Sequence, residues 1–159
     1  MQGRKRNRKL DYDYSQDAIY FITINTKNKI HHFGKIRNGK MELNEFGKVA
    51  ETQILWLSEK YLYFEMHNFV VMPNHLHLLF RIDSVKIKDE NVKIKSVSSL
   101  VAAFKMTVSK EINLLGENEF NWQRSFHDHI VRSKKSYINI DNYITNNPEN
   151  WDKDKYYGV

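Results

Sequence analysis

The sequence predicts an α+β fold of the ferredoxin-like type, an antiparallel sheet with helices packed on one face. Three observations predict it. Short runs with alternating apolar and polar residues are typical of strands, and several follow one another directly, which favours antiparallel pairing. Longer segments with apolar residues at helical spacing separate them. The 159 residues, 41% of them hydrophobic, suit a single domain with an ordinary core, which we assign to residues 1–159.

The first half of the chain predicts a strand, a hairpin and a helix. Residues 18–26 alternate as a strand does. Asn38-Gly39, a tight-turn dipeptide between two short extended pieces, predicts a small hairpin. The segment 44–61 then has apolar residues at helical spacing, with Asn44 as its candidate N-cap.

The middle of the chain predicts two strands within residues 61–82, broken at Pro73 because proline cannot donate to a sheet ladder. Residues 83–96 alternate Val and Ile with Lys around Asp-Glu-Asn. This charged stretch is either an exposed two-stranded flap or a loop. A second amphipathic helix is predicted over residues 96–115.

The last part of the chain predicts a short strand over residues 122–132 and a third helix. The helix starts near Ser133 and stops at Pro148, because proline lacks the amide hydrogen that a helix needs.

Composition limits the classes of function. The formal net charge of +6 favours an anionic partner, most often nucleic acid. The absence of cysteine excludes disulfides, thiolate-bound metal and cysteine nucleophiles. No apolar stretch approaches the roughly 20 residues of a membrane span. We therefore expect a cytoplasmic protein without a membrane partner.

The sequence VVMPNHLHLLF contains two histidines that are separated by a single leucine. Because residues i and i+2 of a strand point to the same face, His75 and His77 are expected to project side by side. Two neutral imidazoles at this separation can hold a divalent cation, although a pair of hydrogen-bonded sheet histidines has the same spacing. His127 and His129 form a rival pair, whose role the sequence leaves open.

A catalytic metal site usually has about three protein ligands. The third predicted helix carries Tyr143 and Asn147, which are four residues apart and lie on roughly one helical face. If this helix covers the histidine-bearing face, the Asn147 carbonyl oxygen can join the metal, with Tyr143 one turn earlier. Pro148 disfavours helical geometry at Asn147, so that placement is approximate.

Taken together, these motifs resemble the single-tyrosine HUH transposases, and among them the REP-associated tyrosine transposases. The resemblance rests on MPNHLHLL, on NYITNNP, and on the segments LDYDYSQDAIYFITINT, LVAAFKMTVSKEIN, NWQRSFHDHIVR and YITNNPENW in this order. It covers nearly the whole chain.

The resemblance implies a function and roles for these residues. His75, His77 and Asn147 match the positions of metal ligands, and Tyr143 matches the nucleophile. The implied reaction is cleavage and rejoining of hairpin-forming single-stranded DNA through a covalent 5′-phosphotyrosine. Mixed nitrogen and oxygen ligation suits a divalent metal, Mg²⁺ or Mn²⁺.

Basic side chains are the candidates for phosphate contacts, although each of them also fits an ordinary solvated surface position. Four belong to a basic arm over residues 1–12, and four lie further along the chain: Arg4, Lys5, Arg6, Arg8, Lys105, Lys110, Arg124 and Arg132. Trp122 and Trp151 are expected to anchor the terminal segments by packing.

Three questions stay open at this level. The helix pattern favours a monomer, as in the REP-associated group, with a homodimer as the alternative. A non-catalytic nucleic-acid-binding relative of the same fold is the alternative to a transposase, and a nuclease that uses water as nucleophile is a further one. The DNA sequence that the protein recognises is not visible in its amino-acid sequence.

Overall fold

The computed structural model describes residues 17–157, so the predicted basic arm, with Arg4, Lys5, Arg6 and Arg8, lies outside the described residues. The elements follow the predicted order, with short 3₁₀ turns between some of them. They are β1 (Ala18–Asn25), β2 (Gly34–Arg37), β3 (Lys40–Leu43), α1 (Glu45–Lys60), β4 (Phe64–Val71), β5 (His75–Ile82), α2 (Val97–Leu114), β6 (His127–Val131) and α3 (Lys134–Asn146).

The sheet confirms the predicted antiparallel α+β class. Its order is β4-β5-β1-β6, and every neighbouring pair is antiparallel. β1 and β4 flank β5 and are connected through α1, which is the split βαβ arrangement of ferredoxin-like folds. β2 and β3 form a separate hairpin, whose turn residues Asn38 and Gly39 have φ values of 52° and 73°. Positive φ at both positions is what the Asn-Gly dipeptide permits at little cost.

The hydrophobic core lies between one sheet face and the first two helices. Alternate residues of β1 and β5, such as Ile22 and Leu78, point to this face and are buried against Leu57 of α1 and Phe104 of α2. The opposite face of the same strands carries Phe21 and His77. One strand thus supplies both core and polar side chains, because its side chains alternate.

The third helix requires a correction to the predicted arrangement. The expected arrangement has all helices on one face, whereas α3 packs against β4 and β5 on the face opposite to α1 and α2, where Tyr143 contacts Phe21 and His77. The physical reason is that α3 docks mainly through polar side chains. Because α1 and α2 already cover the apolar face, α3 packs on the more polar face.

The helix starts follow the predicted signals. Asn44 accepts a hydrogen bond from the Gly47 amide, and Ser133 accepts one from the Ser136 amide. The charged stretch after β5 forms a 3₁₀ turn at Ser84–Lys86 and then a loop, so the alternative of a two-stranded flap is not observed. Within residues 17–157, no helix is long and apolar enough to cross a membrane.

Candidate metal and tyrosine site

The pleat of β5 places the two histidines on the face that α3 covers. In the register with β1, Asn25 lies opposite His75 and Thr23 lies opposite His77. The two imidazole rings are 4.8 Å apart between centroids, and both side chains are buried. Two ring nitrogens therefore face one small volume.

Asn74 determines which ring nitrogen of His75 carries the hydrogen. The Asn74 amide nitrogen donates to the Tyr156 carbonyl at 2.8 Å, so its amide oxygen is the atom 2.7 Å from His75 Nδ1. Because that oxygen only accepts, Nδ1 carries the hydrogen, and Nε2 of the neutral ring keeps a lone pair. A hydrogen bond of this kind at the far ring nitrogen is the usual support of a metal-binding histidine.

His77 also has a polar partner at Nδ1, but this partner is a hydroxyl, which can donate or accept and so does not fix the tautomer of the ring. Its Nδ1 lies 2.8 Å from the Thr23 hydroxyl, and its Nε2 is buried without a hydrogen-bond partner within residues 17–157. His75 Nε2 and Asn147 Oδ1 are also buried without such a partner. A buried polar atom without a partner costs free energy, and a bound cation relieves this cost for all three. These residues therefore fit a divalent metal.

Asp154 adds a carboxylate that no sequence motif indicates. Its Oδ2 accepts from the Asn147 amide nitrogen at 2.7 Å and lies 4.0 Å from His75 Nε2. One ligand atom each from His75, His77 and Asp154 lie within 4.8 Å of one another. Two imidazoles, one amide oxygen and one carboxylate make a nitrogen and oxygen donor set, which suits Mn²⁺ or Mg²⁺.

Burial keeps both imidazoles neutral. Desolvation lowers the pKa of His75 to about 4, against the opposing influence of the nearby Asp154 carboxylate. Desolvation also holds the pKa of His77 well below its ordinary value, and the neighbouring His75 adds to this effect. Neutral rings at neutral pH are the form that binds metal.

Tyr143 projects from α3 beside the histidines. Its ring centroid lies 5.2 Å from that of His77, and 40% of the residue is exposed. It borders a cavity of about 710 Å³. Partial burial raises the pKa of the phenol to about 12, and the negative charge of Asp154 acts in the same direction. The phenol is therefore accessible to a ligand but protonated at neutral pH.

Polar contacts dock α3 on β4. The Asn68 amide nitrogen donates to Asp141 Oδ1 at 2.7 Å and to the Thr145 hydroxyl at 3.1 Å. His67 Nδ1 lies 2.8 Å from the Tyr137 hydroxyl. Within Lys134–Asn146, Ile144 is the residue that is fully buried. These contacts set where Tyr143 lies relative to the histidines.

Of the predicted phosphate-contacting residues, the four that lie within residues 17–157 do not line the cavity beside Tyr143. The Lys105 ammonium donates to the carbonyls of Gln123 and Ser125 at 3.0 and 2.8 Å, so it supports a loop. Lys110, Arg124 and Arg132 are exposed. Trp122 and Trp151 are buried packing residues.

Other basic residues border the site instead. Lys135, Lys153 and Lys155 line the cavity beside Tyr143. Sequence reasoning missed them, because no motif distinguishes them from other surface lysines. The signal for Asp154 was equally weak, since it lies in an irregular segment after Pro148.

The HDH sequence is placed beside the site but not in it. His127 is opposite Thr23 in the register and is exposed, as is His129, whereas Asp128 alternates to the other face. Within residues 17–157 the group that can hold a metal comprises His75, His77 and Asp154, without His127 or His129.

The comparisons with known proteins agree with this fold. Residues 21–147 match the model of a family described as Transposase IS200 like. An uncharacterized protein of Haemophilus influenzae is 34% identical over 167 residues, which cover 97% of this chain and 93% of that protein. A second protein of that organism, named as a REP-associated tyrosine transposase, is 25% identical over 86% of this chain and 73% of its own length.

A solved structure shows the same fold. A REP-associated tyrosine transposase bound to a REP hairpin matches 91% of this chain and 73% of its own chain, with a TM-score of 0.62 at 20% identity.

The antiparallel α+β fold and the family match over residues 21–147 together define the class of this protein as a transposase. The chain belongs to the IS200-like transposase family. Within that family it is similar to the REP-associated tyrosine transposases.

Proposed function

We propose that this protein binds hairpin-forming single-stranded DNA and cleaves and rejoins it through a covalent 5′-phosphotyrosine at Tyr143. One observation supports this proposal most. The partly exposed phenol of Tyr143 lies beside the buried imidazoles of His75 and His77. The Nε2 atoms of these two rings have no hydrogen-bond partner within residues 17–157. The relative solved with a REP hairpin supports the class of DNA.

Tyr143 is the nucleophile, because its phenol is the accessible one on α3 beside the histidines. Its oxygen forms a bond to phosphorus while the bond from phosphorus to the 3′-oxygen breaks. The departing oxygen takes up a proton, and the phenol proton passes to solvent through the open cavity. Attack by another 3′-hydroxyl reverses these changes and joins two strands, so no ATP is needed.

A divalent metal would be held by His75, His77 and Asn147, with Asp154 as an additional ligand. Bound there, it would supply Lewis-acid polarisation of the scissile phosphate and a positive charge that opposes the raised pKa of Tyr143. Lys135, Lys153 and Lys155, on the wall of the cavity, bind the neighbouring phosphates.

The test is the formation of a protein–DNA adduct. The protein is incubated with a pool of labelled single-stranded hairpins and Mn²⁺ or Mg²⁺, and adducts that survive denaturation are mapped by mass spectrometry. We expect an adduct on Tyr143 that disappears in Tyr143→Phe and without metal, but persists in Tyr157→Phe, a matched change at an exposed tyrosine.

Two other results would contradict the proposal. Metal-dependent cleavage that persists in Tyr143→Phe and leaves no adduct would indicate a nuclease that uses water. DNA binding by the wild type without cleavage of any hairpin in the pool would indicate a non-catalytic relative. The proposed single domain and the monomeric state are examined on the same sample by limited proteolysis and light scattering.

A further inference from the structure

A second cavity lies at the end of the sheet that is remote from the metal and tyrosine site. Its volume is about 510 Å³, and it forms where the start of β4 meets the loop after β5. The Tyr63 carbonyl accepts from the Asp83 amide at 2.9 Å, which places the cavity beside the C-terminal end of β5. Seven steps along β5 at about 3.3 Å each separate this end from His75 by roughly 23 Å.

The cavity wall is apolar and partly aromatic. Leu62 and Val92 are 71% and 46% exposed, and Tyr61 is half-buried beside them. Large apolar side chains that cluster in solvent around a cavity are typical of a binding surface. The Tyr61 ring packs near Trp56 and Tyr63, which hold it in place.

The rim of the cavity is strongly cationic. Among residues 17–157, its lining includes one carboxylate, Asp89, and the lysines Lys60, Lys86, Lys88, Lys93 and Lys95. Asp89 accepts from the Asn91 amide at 2.9 Å, and Lys86 pairs with Glu65 at 2.6 Å. The other four lysines have no carboxylate partner within residues 17–157. The cavity therefore favours an anionic ligand with a flat apolar part.

We propose that this lysine–tyrosine cavity binds a segment of single-stranded DNA. A base lies against Tyr61, and the flanking phosphates contact the lysines. A cationic groove that contains an aromatic ring is the usual means of holding single strands. This inference rests on the proposed function, because the segment belongs to the same DNA that Tyr143 cleaves. The separation of about 23 Å equals about seven stacked base pairs, so a hairpin with an unpaired flank spans both sites.

The test measures binding without cleavage. Tyr143→Phe protein is irradiated with a single-stranded oligonucleotide that contains 5-bromodeoxyuridine, and the cross-linked peptides are identified by mass spectrometry. We expect cross-links at Tyr61 or within residues 86–95, in addition to those near the metal and tyrosine site.

Substitutions then measure the contribution of the cavity. Lys93→Glu is expected to lower the slope of log affinity against log salt by about 0.7, the value for one lost phosphate contact on a single strand. Lys48→Glu, a matched change at an exposed lysine on α1, is expected to leave the slope unchanged. Tyr61→Ala is expected to weaken binding about fivefold or more, whereas Tyr61→Phe retains it.

Two results would overturn the inference. One is cross-linking confined to residues around His77. The other is an equal effect of Lys93→Glu and Lys48→Glu together with unchanged binding by Tyr61→Ala. Because binding is measured in protein that lacks the proposed nucleophile, a failure of the cavity and a failure of the cleavage chemistry are separate results. Melting temperatures of the variants identify any loss of folding.

Discussion

At the scale of single residues, Asn74 links two distant parts of the site. Its amide oxygen accepts a hydrogen bond from His75 Nδ1, and its amide nitrogen donates one to the carbonyl of Tyr156. The sequence shows that Asn74 precedes His75, but it does not show that Asn74 connects the His75 ring to Tyr156. This connection depends on a segment that returns from 82 positions further along the chain.

Asp154 gives a prediction about metal binding. Its carboxylate lies 4.0 Å from His75 Nε2, so we expect Asp154→Asn to weaken Mn²⁺ binding by about tenfold or more. The amide has nearly the same shape but no charge. Isothermal titration calorimetry of the folded protein gives the dissociation constant.

Asp152→Asn is the matched control, because Asp152 is exposed and close in sequence. An unchanged Mn²⁺ affinity in Asp154→Asn would mean that this carboxylate only orients Asn147, to which it is hydrogen-bonded at 2.7 Å.

At the scale of secondary-structure elements, α3 illustrates what periodicity can and cannot predict. Spacing correctly predicts its start at Ser133 and its end before Pro148. The contact of α3 with the sheet is only partly apolar, since Ile144 is buried whereas the Tyr137 hydroxyl is hydrogen-bonded to His67. Sequence spacing cannot show which sheet face a helix covers when polar partners decide it.

The docking of α3 is testable through Asn68. We expect Asn68→Ala to lower the free energy of unfolding by about 1 kcal/mol, because it removes hydrogen bonds to Asp141 and Thr145. Amide hydrogen exchange in α3 should become faster, and adduct formation at Tyr143 slower, while DNA affinity is unchanged.

Asn113→Ala serves as the control, because it is an exposed asparagine on α2. If Asn68→Ala and Asn113→Ala gave the same exchange rates in α3, the polar contacts would not be what fixes this helix.

At the scale of the whole molecule, the buried histidines link stability to pH. The pKa of His75 falls from 6.5 to about 4 on folding, and that of His77 also falls. Below pH 6.5 the unfolded chain therefore binds protons that the folded protein does not. Stability is retained above pH 6.5 and decreases as the pH falls toward 4, by on the order of 3 kcal/mol for His75 alone.

The measurement is thermal unfolding in EDTA between pH 7.5 and 4. We expect the melting temperature to decline most steeply below pH 6.5. Mn²⁺ should raise it at pH 7.5 and lose this effect only as the pH approaches 4, where the imidazole of His75 becomes protonated in the folded protein. A melting temperature independent of pH over this range would contradict the assigned burial of both rings.

Much of the architecture could be predicted from local signals. The Asn-Gly hairpin, the caps at Asn44 and Ser133 and the strand break at Pro73 each depend on chemistry within a few residues. The pleat likewise predicts that His75 and His77 are neighbours. What could not be predicted comes from long-range packing, such as the approach of Asp154 and the cavity at Tyr61.

The alternation along β5 also constrains how this domain changes over generations. Leu76 and Leu78 fill the core from one side while His75 and His77 face α3 from the other. Inserting or deleting one residue in this strand would exchange the two sets, which would turn imidazoles toward the apolar core and leucines toward α3. Lineages that abandon the chemistry but keep a folded protein should therefore do so by replacing the histidines, while the length of this strand stays constant.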